Sequence, residues 1–241
     1  MSAARNRIDN QACFLLHSYP WRETSLIVEV FSREHGRLPM AAKGARRPTS
    51  ALRGTLMAFQ PLDISWSGRG EVKTLIQATW LGGQPLLCGI GLLCGYYLNE
   101  LLLRLLARED THTTLFDAYA WTLAQLAANQ PYEPLLRAFE LILLREAGYA
   151  PTLDRDADTD EMVEPAAEYL FVAERGPIRL DAAPRDMPGV PGRVLLAMAA
   201  GDFSAPETLA HAKTLMRRLI QHHLGGQALE SRRILMELQE L

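Results

Sequence analysis

The sequence predicts an α+β protein: a small N-terminal barrel of five strands, then a bundle of helices interrupted by an irregular insert. Three observations carry this prediction. The first eighty residues hold five short segments rich in β-branched and aromatic residues, separated by Pro20, Gly36, Pro48 and the Gly68/Gly70 pair. After Pro85 the apolar residues recur at helical spacing instead. Between residues 151 and 191 neither pattern holds, and the chain turns acidic and proline-rich.

Taken in order, the strand segments are residues 12–19 (ACFLLHSY), 24–32 (TSLIVEVFS), 36–43 (GRLPMAAK), 62–67 (LDISWS) and 71–81 (EVKTLIQATWL). Five strands in so short a span suit a closed barrel, and the OB-fold is the five-stranded barrel most used on single nucleic-acid strands. The longest connection, residues 44–61, separates the third strand from the fourth and has room for a short helix near 50–59. Helices are predicted over 86–108, 114–129, 133–147, 193–200, 206–223 and 229–241. The expected organisation is 1–80 barrel, 81–150 first helical part, 151–191 acidic insert and 192–241 second helical part. The insert is read as mostly irregular, with one hairpin at the strand-like EYLFVAE.

Composition narrows the function classes. Net charge is −3, but residues 1–80 carry 11 Lys+Arg against 6 Asp+Glu, and the remainder 14 against 22. Such asymmetry points to an anionic partner at one end of the chain. Within residues 36–73 stand Arg37, Lys43, Arg46, Arg47, Arg53, Arg69 and Lys73, opposed only by Asp63 and Glu71. Cations threaded with Gly, Pro and Ser between strands meet a phosphate backbone by releasing its counterions. Phe31, Phe59 and Trp66 are available as stacking platforms if they face outward, but a place in the barrel core is the favoured reading.

Other chemistries find little support. No P-loop, GxSxG, HExxH or CxxC pair is present, and Gly89, Gly91 and Gly95 read as close-packing positions rather than a dinucleotide fingerprint. Cys13, Cys88 and Cys94 lie in apolar surroundings and read as buried free thiols of a reducing cytosol. Asp154, Asp156, Asp158 and Asp160 alternate like a calcium loop, but its sixth and twelfth positions are Thr159 and Pro165, so a solvated, partly disordered loop is expected. The six histidines have no Cys beyond Cys94 to join them at zinc, and His222 and His223 read as a helix C-terminal cap. The N-terminal residues have no apolar core, which argues against a signal peptide. The uncharged run from Thr74 to Asn99 is continuously apolar only over residues 86–98, short of the roughly 20 needed to span a bilayer. No catalytic site, metal or cofactor is expected.

One further constellation lies in EPLLRAFELILLREAGY. Leu135, Phe139, Ile142 and Leu143 form one helix face, while Arg137, Leu141 and Leu144 at i, i+4 and i+7 form a second. An arginine beside exposed leucines suits a peptide bearing a carboxylate and a large apolar side chain. Spacing alone favours the alternative, an arginine stem laid over packed leucines.

The series LHSYPWRETSLIVEVFSREHGRLPMAAKGARR, ALRGTLMAFQPL, SGRGEVKTL, YYLNELLLRLL, LRAFELILLREAGYAP and LGGQALESRRIL resembles the RecO family of bacterial DNA repair and recombination proteins, over about residues 12–235. The resemblance implies an N-terminal OB-fold, a central helical bundle and a returning C-terminal helix. It implies a recombination mediator that binds single- and double-stranded DNA, anneals complementary strands, and acts on DNA coated by single-stranded-DNA-binding protein (SSB). With RecR, and with RecF in some pathways, such proteins help load RecA. The family pattern puts Lys43, Arg46, Arg47 and Arg53 on its basic OB-fold segment, with Arg37, Arg69 and Lys73 added by charge. It matches Arg137 to the arginine that grips the SSB tail, with Leu141, Leu144 and, more weakly, Arg217 beside it. Many members carry a four-cysteine zinc module where this chain has its acidic insert; those cysteines are absent here, so no zinc is expected. The resulting expectation is a non-enzymatic mediator of the cytoplasm and nucleoid, with no membrane contact. The alternatives are a non-annealing OB-fold adaptor and a metal-dependent nuclease.

Overall fold

The computed structural model describes residues 6–150, 152–180 and 189–239. The chain divides into two compact units: residues 1–130 with 229–241, and residues 131–228.

The first unit is built on β1 (Arg7–Trp21), β2 (Ser25–Ser32), β3 (Gly36–Ala42), a single-turn helix α1 (Leu52–Thr55), β4 (Pro61–Ser67) and β5 (Lys73–Trp80). They close into a barrel of order β1-β2-β3-β5-β4, antiparallel except for the β3–β5 pairing of Met40 with Lys73 and Ala41 with Thr74. This is the OB-fold arrangement that the strand segments predicted. The long β1 makes closure possible, pairing with β4 along its first part and with β2 along its second. Register shifts near Ile8–Gln11 and Leu15–His17 bend it, as barrel strands must bend.

Alternation explains why β2 reads as a continuous apolar run. Val28 and Val30 point into the barrel with Cys13, Leu15, Leu38, Met40, Leu62, Ile64 and Trp66. Phe31 points the other way, and with Phe14 meets Phe116 and Tyr119 at ring separations of 5.1–6.2 Å. Those two rings come from α3 (Thr113–Ala127), which follows α2 (Gly89–Leu105). Both faces of the strand are therefore buried. A buried polar tie joins the layers: Tyr119 donates to Asn99 Oδ1, and Asn99 Nδ2 donates to the Leu16 carbonyl at 2.8 Å. Gly95 permits the packing of α2, since a Cβ there would stand 2.7 Å from Leu87 and 2.9 Å from Phe59.

The last helix, α7 (Glu230–Gln239), belongs to this unit too and packs on α2. The Glu100 carboxylate accepts the Glu230 and Ser231 amides at 2.9 Å each and the Ser231 hydroxyl at 2.6 Å. Burial pushes the Glu100 pKa upward, but the Ser231 and Glu230 donors with Arg104 outweigh it and hold it below the usual carboxylate value.

The second unit holds α4 (Tyr132–Glu146), a three-stranded sheet of β6 (Glu168–Val172), β7 (Gly176–Arg179) and β8 (Val190–Pro191), then α5 (Gly192–Ala199) and α6 (Pro206–His223). The helices expected as one bundle are thus shared between the two units. The insert is also more ordered than its composition suggests. Its hairpin is β6–β7, β8 adds a third strand, and the acidic run turns on Asp156, which is 6% exposed. Asp156 accepts the amides of Asp158, Thr159 and Arg179 at 2.7–3.1 Å. A short side chain satisfying three backbone donors replaces the solvated loop read from charge alone. Residues 181–188 of the predicted insert, and residues 240–241 of the predicted last helix, lie outside the described residues.

Candidate nucleic-acid interface

The basic run leaves β3 at Ala42 and turns at Gly44, whose φ of +70° suits a residue without a Cβ. Three hydrogen bonds hold this turn to the β1–β2 connection: Arg46 N to the Thr24 carbonyl (2.9 Å), Arg46 Nη1 to the Glu23 carbonyl (3.3 Å), and Gly44 N to Ser25 Oγ (3.4 Å). Lys43, Arg46, Arg47 and Arg53 are all exposed and form no ion pair with a described residue. The β1–β2 connection brings a fifth cation that the sequence reading missed. Arg22 is exposed, and its guanidinium carbon lies 4.2 Å from the Trp21 ring centroid. Glu23 is the one acid in these two segments. Its signal was a Trp-Arg pair between two strands, visible in the sequence but far from the main run.

The rest of the basic list is corrected by burial. Arg37 is not a free cation: its side chain is 15% exposed, 3.3 Å from Glu29, and Nη2 donates to the Leu106 carbonyl at 3.0 Å. Burial lowers its pKa, with Glu29 opposing that effect. Lys73 is 9% exposed in its side chain, with Nζ 2.7 Å from Glu109 and 2.9 Å from the Gly70 carbonyl. Arg108 completes the set by pairing with both Glu29 and Glu71. This network surrounds Gly36, where a Cβ would stand 1.9 Å from the Asp110 carbonyl oxygen. The clue was Glu29, a carboxylate within a buried apolar strand that had to find partners.

Arg69 is exposed, but in the β4–β5 turn. Pairing of Met40 with Lys73 puts that turn toward the Gly36 end of β3, away from Lys43. The aromatics are core: Phe31 is 0%, Trp66 2% and Phe59 4% exposed. Of the thiols, Cys13 and Cys94 are buried but Cys88 is exposed, against expectation. Burial pushes the Cys13 thiol up to about 12.

In the second unit, Leu141 and Leu144 are 3% and 0% exposed, so they are core rather than an open apolar face. Arg137, on the same helix, has a side chain 13% exposed and paired with Glu140, while its Nε is buried without a hydrogen bond. Arg217 on α6 is exposed and forms no ion pair with a described residue. His222 contacts Glu174 at 2.7 Å, and His223 stacks on Tyr149 at 4.3 Å. Among the described residues no group of His, Cys, Asp and Glu is arranged to hold a metal ion, and no helix is long and apolar enough to cross a membrane.

Comparison with known proteins covers nearly the whole chain. The family model for the N-terminal part of recombination protein O matches residues 7–84, and the model for its C-terminal part matches residues 89–233. The DNA repair protein RecO of Aromatoleum aromaticum is 60% identical over 237 residues, covering 98% of this chain and 99% of that protein. That of an Azoarcus species is 59% identical, covering 99% of this chain and 100% of its own length. The Dechloromonas aromatica protein of the same name is 54% identical, covering 98% and 99%. A five-stranded OB-fold barrel followed by helices, two family models that together span residues 7–233, and relatives that are 54–60% identical over nearly the whole chain make this chain a member of the RecO family of DNA repair proteins.

Proposed function

We propose that this chain is a recombination mediator that acts without catalytic turnover, binding single- and double-stranded DNA at the Lys43 end of its barrel and annealing complementary strands. What supports the reading most directly is the group of Arg22, Lys43, Arg46, Arg47 and Arg53, exposed and without ion pairs to described residues, on a chain of this family. Two strands repel each other through their phosphates. Cations that take up phosphates of both lower that repulsion and release counterions, whatever the base sequence. The second unit is proposed to hold the acidic tail of SSB at exposed Arg217 and at Arg137, which would exchange Glu140 for the tail's carboxylate; this would raise the local concentration of coated DNA. Leu141 and Leu144 are core and do not touch the tail. Cooperation with RecR in loading RecA, on the nucleoid in the cytoplasm, completes the proposal.

The test is annealing of complementary oligonucleotides coated with SSB. The parent protein is expected to accelerate it, and a Lys43→Glu/Arg46→Glu/Arg47→Glu variant to fall to the protein-free rate. A parent without acceleration would instead favour an adaptor that only scaffolds repair complexes. Metal-dependent strand cleavage would overturn both readings.

A further inference from the structure

At the Lys43 end of the barrel, Leu26, Ala45, Arg46, Leu52, Arg53 and Leu56 line a cavity of about 280 Å³. Apolar side chains form its floor, while polar atoms make up most of its exposed lining. Ala45 is 1% exposed, and Leu26, Leu52 and Leu56 are half-buried against the barrel core. Its two charged lining residues, Arg46 and Arg53, are exposed and unpaired with any described carboxylate. Arg46 keeps its position through the Glu23 carbonyl, which leaves its charge unneutralised.

We infer that this cavity receives one unpaired, unstacked nucleobase of a DNA strand, with its flanking phosphates on Arg46 and Arg53. The inference rests on the DNA reading above and adds which part of the DNA enters. The volume falls just below that of small-ligand sites, which run from roughly 300 to 1,000 Å³, and suits one ring system rather than a base pair. Apart from Arg46 and Arg53 the lining side chains carry no polar group, and with both guanidiniums on phosphates entry is independent of sequence. A stacked, paired base has no free face to bury, so the cavity discriminates in favour of single strands. A nucleotide within a strand is flanked by two phosphates, and the cavity offers two cations. Arg22, Lys43 and Arg47 extend the positive surface around it, which fits a polyanion better than a single peptide carboxylate.

The experiment is a fluorescence-anisotropy titration of three probes: an oligothymidine strand, the same strand with abasic positions, and a blunt duplex. Each is run with the parent and with Leu56→Phe, which narrows the cavity and keeps every cation. The parent should bind the intact strand roughly tenfold more tightly than the abasic one, the scale of one ordered base. Leu56→Phe should lose that discrimination while binding duplex as the parent does. Equal parent affinity for intact and abasic strands overturns the inference, with no variant needed; so does full discrimination in a folded Leu56→Phe protein. An acidic peptide that displaces the intact strand from the parent, but not from Leu56→Phe, makes a peptide the occupant and also overturns it. A parent that binds none of the probes overturns the DNA reading itself.

Discussion

The two ends of β3 carry charge of the same sign and treat it in opposite ways. At the Gly36 end, Arg37, Lys73 and Arg108 are each met by a carboxylate from Glu29, Glu71 or Glu109. At the Ala42 end, Lys43, Arg46, Arg47 and Arg53 meet solvent. One end is structure; the other is left for a partner. A run of cations therefore says little until it is known where the chain returns a carboxylate. Two of those carboxylates, Glu29 and Glu109, come from outside the run.

The largest test of this contrast is Glu29→Gln. It leaves Arg37 beside a neutral amide and Arg108 with Glu71 alone, and should cost about 3 kcal/mol in urea unfolding, with DNA affinity nearly unchanged. Strongly altered DNA binding in a folded protein would erase the distinction between the ends. Next comes Lys43→Glu/Arg46→Glu/Arg47→Glu. Single-strand affinity should fall by about tenfold to a hundredfold, and the slope of log affinity against log salt should shrink by about 2. Stability should move by no more than about 0.5 kcal/mol, read by the same denaturation. Arg22→Glu should weaken binding by roughly threefold to tenfold, showing whether the β1–β2 connection belongs to the interface. Smallest of all, Arg69→Glu should change affinity less than about twofold at physiological salt, because charges beyond a Debye length of about 8 Å are screened. A loss equal to that of Arg22→Glu would extend the interface along the whole strand.

Much of the architecture was legible in the sequence. The five strand segments fall within a residue or two of the observed strands, except β1, which begins five residues earlier. That early part pairs with β4 through polar residues such as Asn10 and Gln11, so no apolar alternation announced it. The predicted helix at 206–223 matches α6. The site was only half legible. Exposure of Lys43, Arg46, Arg47 and Arg53 follows from their Gly- and Pro-rich setting, whereas the burial of Arg37 and Lys73 depends on residues 29 and 109, distant in sequence. Leu141 and Leu144 show the same limit, since helical spacing defines a face but not what covers it. Asp156 shows a third, because an acid that collects backbone amides looks, in sequence, like any other member of an acidic run.

The pairing of Glu100 with the first turn of α7 has a consequence for biosynthesis. The first unit is discontinuous: its chain departs after residue 130 and resumes at residue 229. While a ribosome is still translating the intervening 98 residues, Glu100 has no amide to accept and α2 lacks its packing partner. The barrel strands come first off the ribosome, yet their unit is the last to be finished. A nascent chain arrested before Leu229 would present the α7-binding side of α2 to solvent, a mark by which quality control could tell an incomplete molecule from a finished one.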